Sequence, residues 1–368
     1  MTRFLEDILR QPDELRRALH YLAGAGSQAL EEAARSLRSA SHVYLTGIGS
    51  SWHAALCAGP LFSTCAHPVY LQDAAELVHF AAFPRDAVIV AISRTGKSVE
   101  IVRLLAKARE SGAFVIGITN SETGPLAREA QIPIVVPVTF DHGISVNTYT
   151  TLVLATAILV STTLRHWDEA LLTVLSRTIK AAAQSMVSWK EQIADSPWLA
   201  PGANYYFLGR GSSLGSCQEA RLLWEEGAKS PATAMGTGGF RHGPQEMVTE
   251  GLRFGIWIDG RRMRVEDLAV ARDLGRLGAS VMLIGQHLAE NAADLVLPMP
   301  AVSPEWQFLI DAIPAQLAAE RLARLSGVDC DSFRLCSYIV EDDGGLFNET
   351  ARVEGLTGTD FKLGAPGL

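Results

Sequence analysis

The segment YLTGIGSSWHAA, beginning at Tyr44, is answered by FLGRGSSLGSCQEA, beginning at Phe207. In each, an apolar run ends in a Gly-x-Gly turn followed by two serines. The first copy reads Gly47-Ile48-Gly49-Ser50-Ser51 and the second Gly209-Arg210-Gly211-Ser212-Ser213. Gly47 and Gly209 lie 162 positions apart. Two further pairs keep step at an offset of 166: VIVAIS ending at Ser93 with FGIWID ending at Asp259, and GAFVIGIT from Gly112 with GASVMLIG from Gly278. A repeat built of strand, glycine turn and helix is most simply two copies of one α/β unit.

The remaining pattern fills in those units. Strands are predicted at 43–46, 68–71, 87–92, 114–118 and 132–137, with helices at 51–64, 73–80, 98–111 and 148–164. Residues 2–40 read as helix, restarted at Pro12 and broken at Gly24–Gly26. Residues 165–200 read as a long helix and a link carrying Pro197 and Pro201. The alternation then resumes at Asn204, with strands at 205–208 and about 233–235 and a helix from the Gly209–Gly211 turn to near Ala228. The fold class expected is α/β, two doubly wound parallel sheets with helices on both faces. The boundaries are 1–40 for the N-terminal helices, 41–165 for the first unit, 166–203 for the connection, 204–340 for the second unit and 341–368 for a tail.

Length and charge narrow the function. The chain has 368 residues, 48% of them hydrophobic, enough for two globular domains. A formal net charge of -8, with no Lys/Arg-rich run, argues against nucleic acid as a partner. The five cysteines have no metal-ligand spacing and read as reduced thiols. The apolar run Leu152–Val160 is too short to span a bilayer. The expectation is a soluble cytoplasmic protein with no membrane partner.

The two copies differ where ligands should bind. In the first, the strand ends in Ser93-Arg94-Thr95-Gly96-Lys97-Ser98 and a helix follows. Hydroxyls, cations and a helix N-terminus suit a phosphate group. The counterpart in the second copy, Asp259-Gly260-Arg261-Arg262-Met263-Arg264, has no hydroxyl, and its aspartate would repel phosphate. One phosphate site is expected, in the first copy, completed by Gly47–Ser51. The plainer alternative is that Ser51 and Ser98 are only helix caps. Neither a full GxGxxG nor a Walker lysine motif is present, which disfavours a nucleotide.

The elements Gly49-Ser50-Ser51-Trp52-His53-Ala54, Ile92-Ser93-Arg94-Thr95-Gly96, Leu208-Gly209-Arg210-Gly211 and Arg241-His242-Gly243-Pro244 together resemble the sugar isomerase (SIS) domain family. The resemblance is to the isomerase half of glucosamine-6-phosphate synthase and to related sugar-phosphate deaminases and fructosamine-6-phosphate deglycases, over about residues 30–340. It implies two tandem SIS domains of flavodoxin-like type, a phosphorylated sugar ligand and a homodimer with shared active sites. By the same resemblance, Ser50, Ser51, Ser93, Thr95, Ser98 and Ser145 bind substrate, Glu226 moves the proton between C1 and C2, and His242 opens the sugar ring, often from the partner subunit. Two synthase lysines are replaced, by Leu223 and, on or near its position, by Tyr338. No glutaminase domain precedes the SIS units, so glutamine-dependent amination is not expected.

The chemistry of these residue types agrees. A carboxylate near a carbonyl-bearing substrate can act as general base, and a histidine at a glycine-rich turn can shuttle a proton. Each also has a bland reading, as a helix-surface glutamate beside Glu225 or a packing histidine. The other histidines show no ligand spacing, so no metal or other cofactor is expected. The leading expectation is an isomerase, deaminase or deglycase of phosphorylated amino sugars or sugar–amine adducts. The rival is a non-catalytic sugar-phosphate-binding regulator.

Overall fold

The computed structural model describes residues 1–342. Two helices open the chain, α1 (Arg3–Ala23) and α2 (Ser27–Ser39). Contrary to the reading of Pro12 as a restart, α1 runs through it. Pro12 lacks the N–H that would bond the Ile8 carbonyl, and the Gln11 side-chain amide donates to that oxygen at 3.2 Å instead. The interruption at Gly24–Gly26 is present.

The first half runs β1 (His42–Thr46), α3 (Ser50–Thr64), β2 (Tyr70–Leu71), α4 (Ala74–Phe80), β3 (Ala87–Ser93), α5 (Val99–Ser111), β4 (Phe114–Thr119), α6 (Pro125–Glu129) and β5 (Ile132–Val135). Helices α7 (Asn147–Thr163) and α8 (Glu169–Ala194) lead to the second half. That half comprises β6 (Tyr205–Gly209), α9 (Ser213–Glu226), β7 (Ala232–Gly236), α10 (Thr237–Phe240), β8 (Arg253–Trp257), α11 (Arg264–Arg276), β9 (Ser280–Gly285), β10 (Leu295–Pro298) and α12 (Ile313–Leu325).

The strands form two five-stranded parallel sheets, ordered β2-β1-β3-β4-β5 and β7-β6-β8-β9-β10. Renumbered within its half, each follows the same doubly wound order. The order reverses between β1 and β3, and between β6 and β8. A crevice opens beyond the carboxyl ends of strands at such points.

The apolar run expected within 148–164 is an internal helix. Every residue of α7 is buried, as a helix without a polar face requires. Its hydroxyls bond back to the preceding turn, as Thr156 does to the Leu152 carbonyl at 2.7 Å and Ser161 to Ala157 at 2.8 Å. No helix among the described residues is long and apolar enough to cross a membrane. The largest apolar cluster draws on both halves, joining α1, α3 and α7 to α9 and α12, while smaller clusters cover each sheet's outer face.

The contact that matters most for the site is α3 against α9. Gly215 lies against Cys57, and Glu219 against His53 and Ser50, so the two helices run antiparallel. A Cβ on Gly215 would stand 2.4 Å from the Cys57 Sγ and 2.5 Å from the His53 carbonyl oxygen, too close for any side chain. The approach brings the last turn of α9 over the first turn of α3. A residue at the far end of a second-half helix thereby reaches the first half's crevice.

Candidate active site

A cavity of about 210 Å³ lies at the carboxyl edge of the first sheet. It brings together seven of the eight residues expected to act: Ser50, Ser51, Ser93, Thr95, Ser98, Ser145 and Glu226. The eighth, His242, does not line it. That residue stands exposed in the turn after α10, at the carboxyl edge of the second sheet.

The loop after β3 is shaped by its own hydroxyls. Ser93 Oγ accepts the Gly96 N–H at 3.1 Å, and Thr95 Oγ1 accepts the Lys97 N–H at 3.3 Å. Gly96 has φ +68°, a left-handed conformation that a side chain would strain. Ser98 occupies the cap position of α5 yet makes no capping hydrogen bond. At α3 the cap position is Gly49, again without a side-chain bond. The hydroxyls at these two helix starts are therefore not spent on capping, and they face the cavity. Lys97 points to solvent, so Arg94 is the cation that lines the site.

Ser145 is coupled to the Thr148 hydroxyl at 2.7 Å. Beside it, the buried Asp141 carboxylate accepts the N–H groups of Val146, Asn147 and Thr148 at 3.0, 2.8 and 3.0 Å. That anion caps α7 and fixes the loop from which Ser145 enters.

Residues 333–340 cross the opening of the crevice, and sequence patterning gave no sign of this. Arg94 anchors the segment, donating to the Tyr338 carbonyl at 2.9 Å and lying 4.1 Å from the centre of the Tyr338 ring. The Val99 N–H, unpartnered within its own helix, donates to the Val340 carbonyl at 3.0 Å. Tyr338, the residue on or near a synthase lysine's position, thus lines the cavity, whereas Leu223 is buried in the core and its neighbour Leu222 faces the site. The tail expected from 341 lies outside the described residues beyond 342.

Glu226 is the last residue of α9 and is mostly enclosed. Burial pushes its carboxyl up from the ordinary 4.5 to about 7, and the nearby Glu219 charge adds to the rise, while Arg94 and Lys229 oppose it. A carboxylate so placed exchanges protons near neutral pH, as a general base must. Glu219 is wholly buried and holds His53 Nδ1 at 2.7 Å and the Ser50 hydroxyl at 3.0 Å. It therefore both orients a cavity serine and supplies the like charge beside Glu226. Neither Glu219 nor His53 was singled out from sequence as a site residue, because nothing local marks a buried pair 166 positions apart.

The matching crevice of the second half includes Ser212, Ser213, Arg261 and Arg262. An anion already sits there. The Asp259 carboxylate accepts the N–H groups of Arg261, Arg262 and Met263 at 3.2, 2.7 and 2.8 Å. No group of three or more His, Cys, Asp or Glu among the described residues is placed to hold a metal ion.

These features define an α/β protein with a hydroxyl-lined crevice at a sheet's switch point. Residues 36–161 match the family model of the SIS domain. The glutamine–fructose-6-phosphate aminotransferase (isomerizing) of Pyrobaculum aerophilum is 26% identical over 348 residues, covering 90% of this chain and 56% of that protein. The chain thus spans about half the length of the curated relatives it matches. Among solved structures, the C-terminal domain of glucosamine-fructose-6-phosphate aminotransferase from Francisella tularensis superimposes with a TM-score of 0.80 at 17% identity, covering 90% of this chain and 98% of that one. Tagatose-6-phosphate ketose/aldose isomerase from Escherichia coli gives 0.77 at 21% identity, covering 90% and 94%. At such identities the solved structures speak for the fold alone.

Proposed function

We propose that the protein is an enzyme that binds a phosphorylated amino sugar or sugar–amine adduct and moves a proton between C1 and C2. In this reading the chain is two tandem SIS units, over 41–165 and 204–340, working as a cytoplasmic homodimer. Ser93, Thr95 and Ser98, with the α5 N-terminus and Arg94, hold the phosphate, and Ser50, Ser51 and Ser145 hold the remaining oxygens. Glu226 takes the proton from one carbon and returns it to the next. His242 of the partner subunit serves the ring oxygen. The observation that carries the reading is a carboxyl held near neutral pH, Glu226, in one cavity with eight hydroxyl side chains. The curated relative's name, glutamine–fructose-6-phosphate aminotransferase (isomerizing), supports the same class.

The test is solvent deuterium incorporation into sugar phosphates shown to bind. Wild type is expected to exchange the proton beside the carbonyl, and Glu226→Gln to lose about 10²–10⁴-fold while still binding. Binding without exchange by wild type supports the second reading, a sugar-phosphate-binding regulator. That reading is favoured by Leu223 and Tyr338 standing in place of the synthase lysines.

A further inference from the structure

Helices α1 and α8 pack together and leave a groove between them, with a cavity of about 550 Å³. It shares no lining residue with the hydroxyl-lined cavity. Its volume falls within the range of about 300–1,000 Å³ usual for ligand pockets. The lining positions step by four, three, one and three residues along both helices, from Pro12 to Ala23 and from Leu172 to Ala183. One face of each helix therefore contributes. On those faces Leu19 and Ile179 are buried and, with Leu172, form an apolar floor. Ala23, Ser176 and Ala183 are too short to reach across, so the space between the helices stays open.

The ionisable groups of this groove are all bases. Arg16, His20 and Lys180 line it, and no carboxylate does. The Arg16 guanidinium holds Asp13 at 3.0 Å, both exposed. The Lys180 ammonium and the His20 ring make no hydrogen bond or ion pair among the described residues. Both faces lie inside helices, whose amides bond within the helix. The groove thus lacks the cradle of free backbone N–H groups that suits a phosphate. Side-chain cations above an apolar floor suit a singly charged head on an aliphatic body. Residues 12–23 cover about 16 Å of helix, room for an extended chain of about ten carbons.

We propose that the groove between α1 and α8 binds an aliphatic carboxylate, a medium-chain fatty acid, at a site separate from the hydroxyl-lined crevice. Lys180 pairs with the carboxylate, with Arg16 and His20 beside it. The chain lies along Leu19, Leu172 and Ile179, in the space left by the short side chains. Charge and surface together select this occupant. A sugar would leave the apolar floor unused, and a neutral lipid would leave Lys180 without a partner. The site stands whether or not the sugar-phosphate reading holds.

The test is titration calorimetry with decanoate, hexanoate and 1-decanol, each below the concentration at which it aggregates. Decanoate is expected to saturate one site on wild type. Hexanoate should bind at least about tenfold more weakly, since each buried methylene contributes up to about fourfold. Decanol keeps the chain without the charge and should bind more weakly than decanoate by a factor of about three or more. Lys180→Met, which keeps the aliphatic stem, should close most of that gap and leave decanol unchanged. Ala183→Trp fills the groove and should abolish binding of both, with a urea midpoint near that of wild type showing that it is folded. Absence of saturable decanoate binding, binding that a folded Ala183→Trp leaves intact, or decanol as tight as decanoate would overturn the proposal. Should Ala183→Trp fail to fold, Lys180→Met decides, and an unchanged gap between decanoate and decanol overturns it. Sedimentation tests the other occupant: self-association of wild type that is lost in Ala183→Trp would mean that a second copy of the chain covers the groove, and the fatty-acid assignment would fall.

Discussion

Replacing Glu226 by glutamine is expected to make the protein more stable and less active, with the gain in stability dependent on pH. Between the ordinary carboxyl value of 4.5 and about 7, the folded protein keeps a proton on Glu226 that the unfolded chain has released. Stability therefore falls as pH rises through that window. The penalty is absent below 4.5 and complete above 7. At about 1.4 kcal/mol per tenfold, the full penalty is roughly 3 kcal/mol. Glutamine keeps the shape and cannot ionise. The stability of Glu226→Gln relative to wild type should rise from near zero at about pH 4.5 towards that figure at about pH 8. Urea unfolding of both proteins at the two pH values reads it directly, as the midpoint difference multiplied by the slope. An equal gain at both pH values would mean that the substitution acts through packing. No gain at the higher pH would mean that Glu226 titrates as an ordinary surface carboxyl. Either result would refute the assignment of burial and the Glu219 charge as the cause.

Other expectations follow from the same geometry. Thr95→Ala should weaken sugar-phosphate binding by about 1–3 kcal/mol in titration calorimetry; unchanged affinity for every phosphorylated ligand would remove Thr95 from the site. Gly215→Ala should destabilise by about 1–3 kcal/mol through overpacking between α3 and α9, seen as a lower urea midpoint. Glu219→Ala, which strands His53 in the interior, should cost about 3–5 kcal/mol, and a loss within experimental error would show that the pair is not structurally significant. His242→Ala and Glu226→Gln proteins, mixed and allowed to exchange subunits, should recover activity, since one site of each mixed dimer has both residues intact. No recovery in a proven mixed dimer would place His242 outside a shared site.

Much of the fold was legible because its causes are local. The Gly-x-Gly turns, the β-branched runs and the repeat placed all strands but β10 to within two residues, the largest shifts being at β2, shortened to Tyr70–Leu71 from an expected 68–71, and at β5, which ends at Val135 and not at 137. The loop from Ser93 to Ser98 was legible for the same reason, since helix start and hydroxyls are neighbours in sequence. Pro12 was misread because its compensation lies in a side-chain bond from Gln11, which propensity does not register. The reach of Glu226 was not legible from its helix, where it lies at the far end from the second half's crevice. It follows from the antiparallel packing of α3 and α9, and that depends on Gly215 meeting Cys57 across the two halves. Residues 333–340 were invisible as part of the site because their anchors, Arg94 and Val99, are more than two hundred positions away.

Asp259 bears on how such a repeat changes over time. Its carboxylate holds three backbone N–H groups, whereas in the first half's loop the Ser93 and Thr95 hydroxyls hold two. Serines introduced into that loop would still face a resident negative charge, and removing the aspartate alone would leave three amides without their acceptor. Recovering a second binding crevice thus needs at least two changes, of which neither helps until the other is present. The asymmetry between the halves is in this sense ratcheted. Selection can go on refining the first crevice, while the second is free to diverge as scaffold for the helix that carries Glu226.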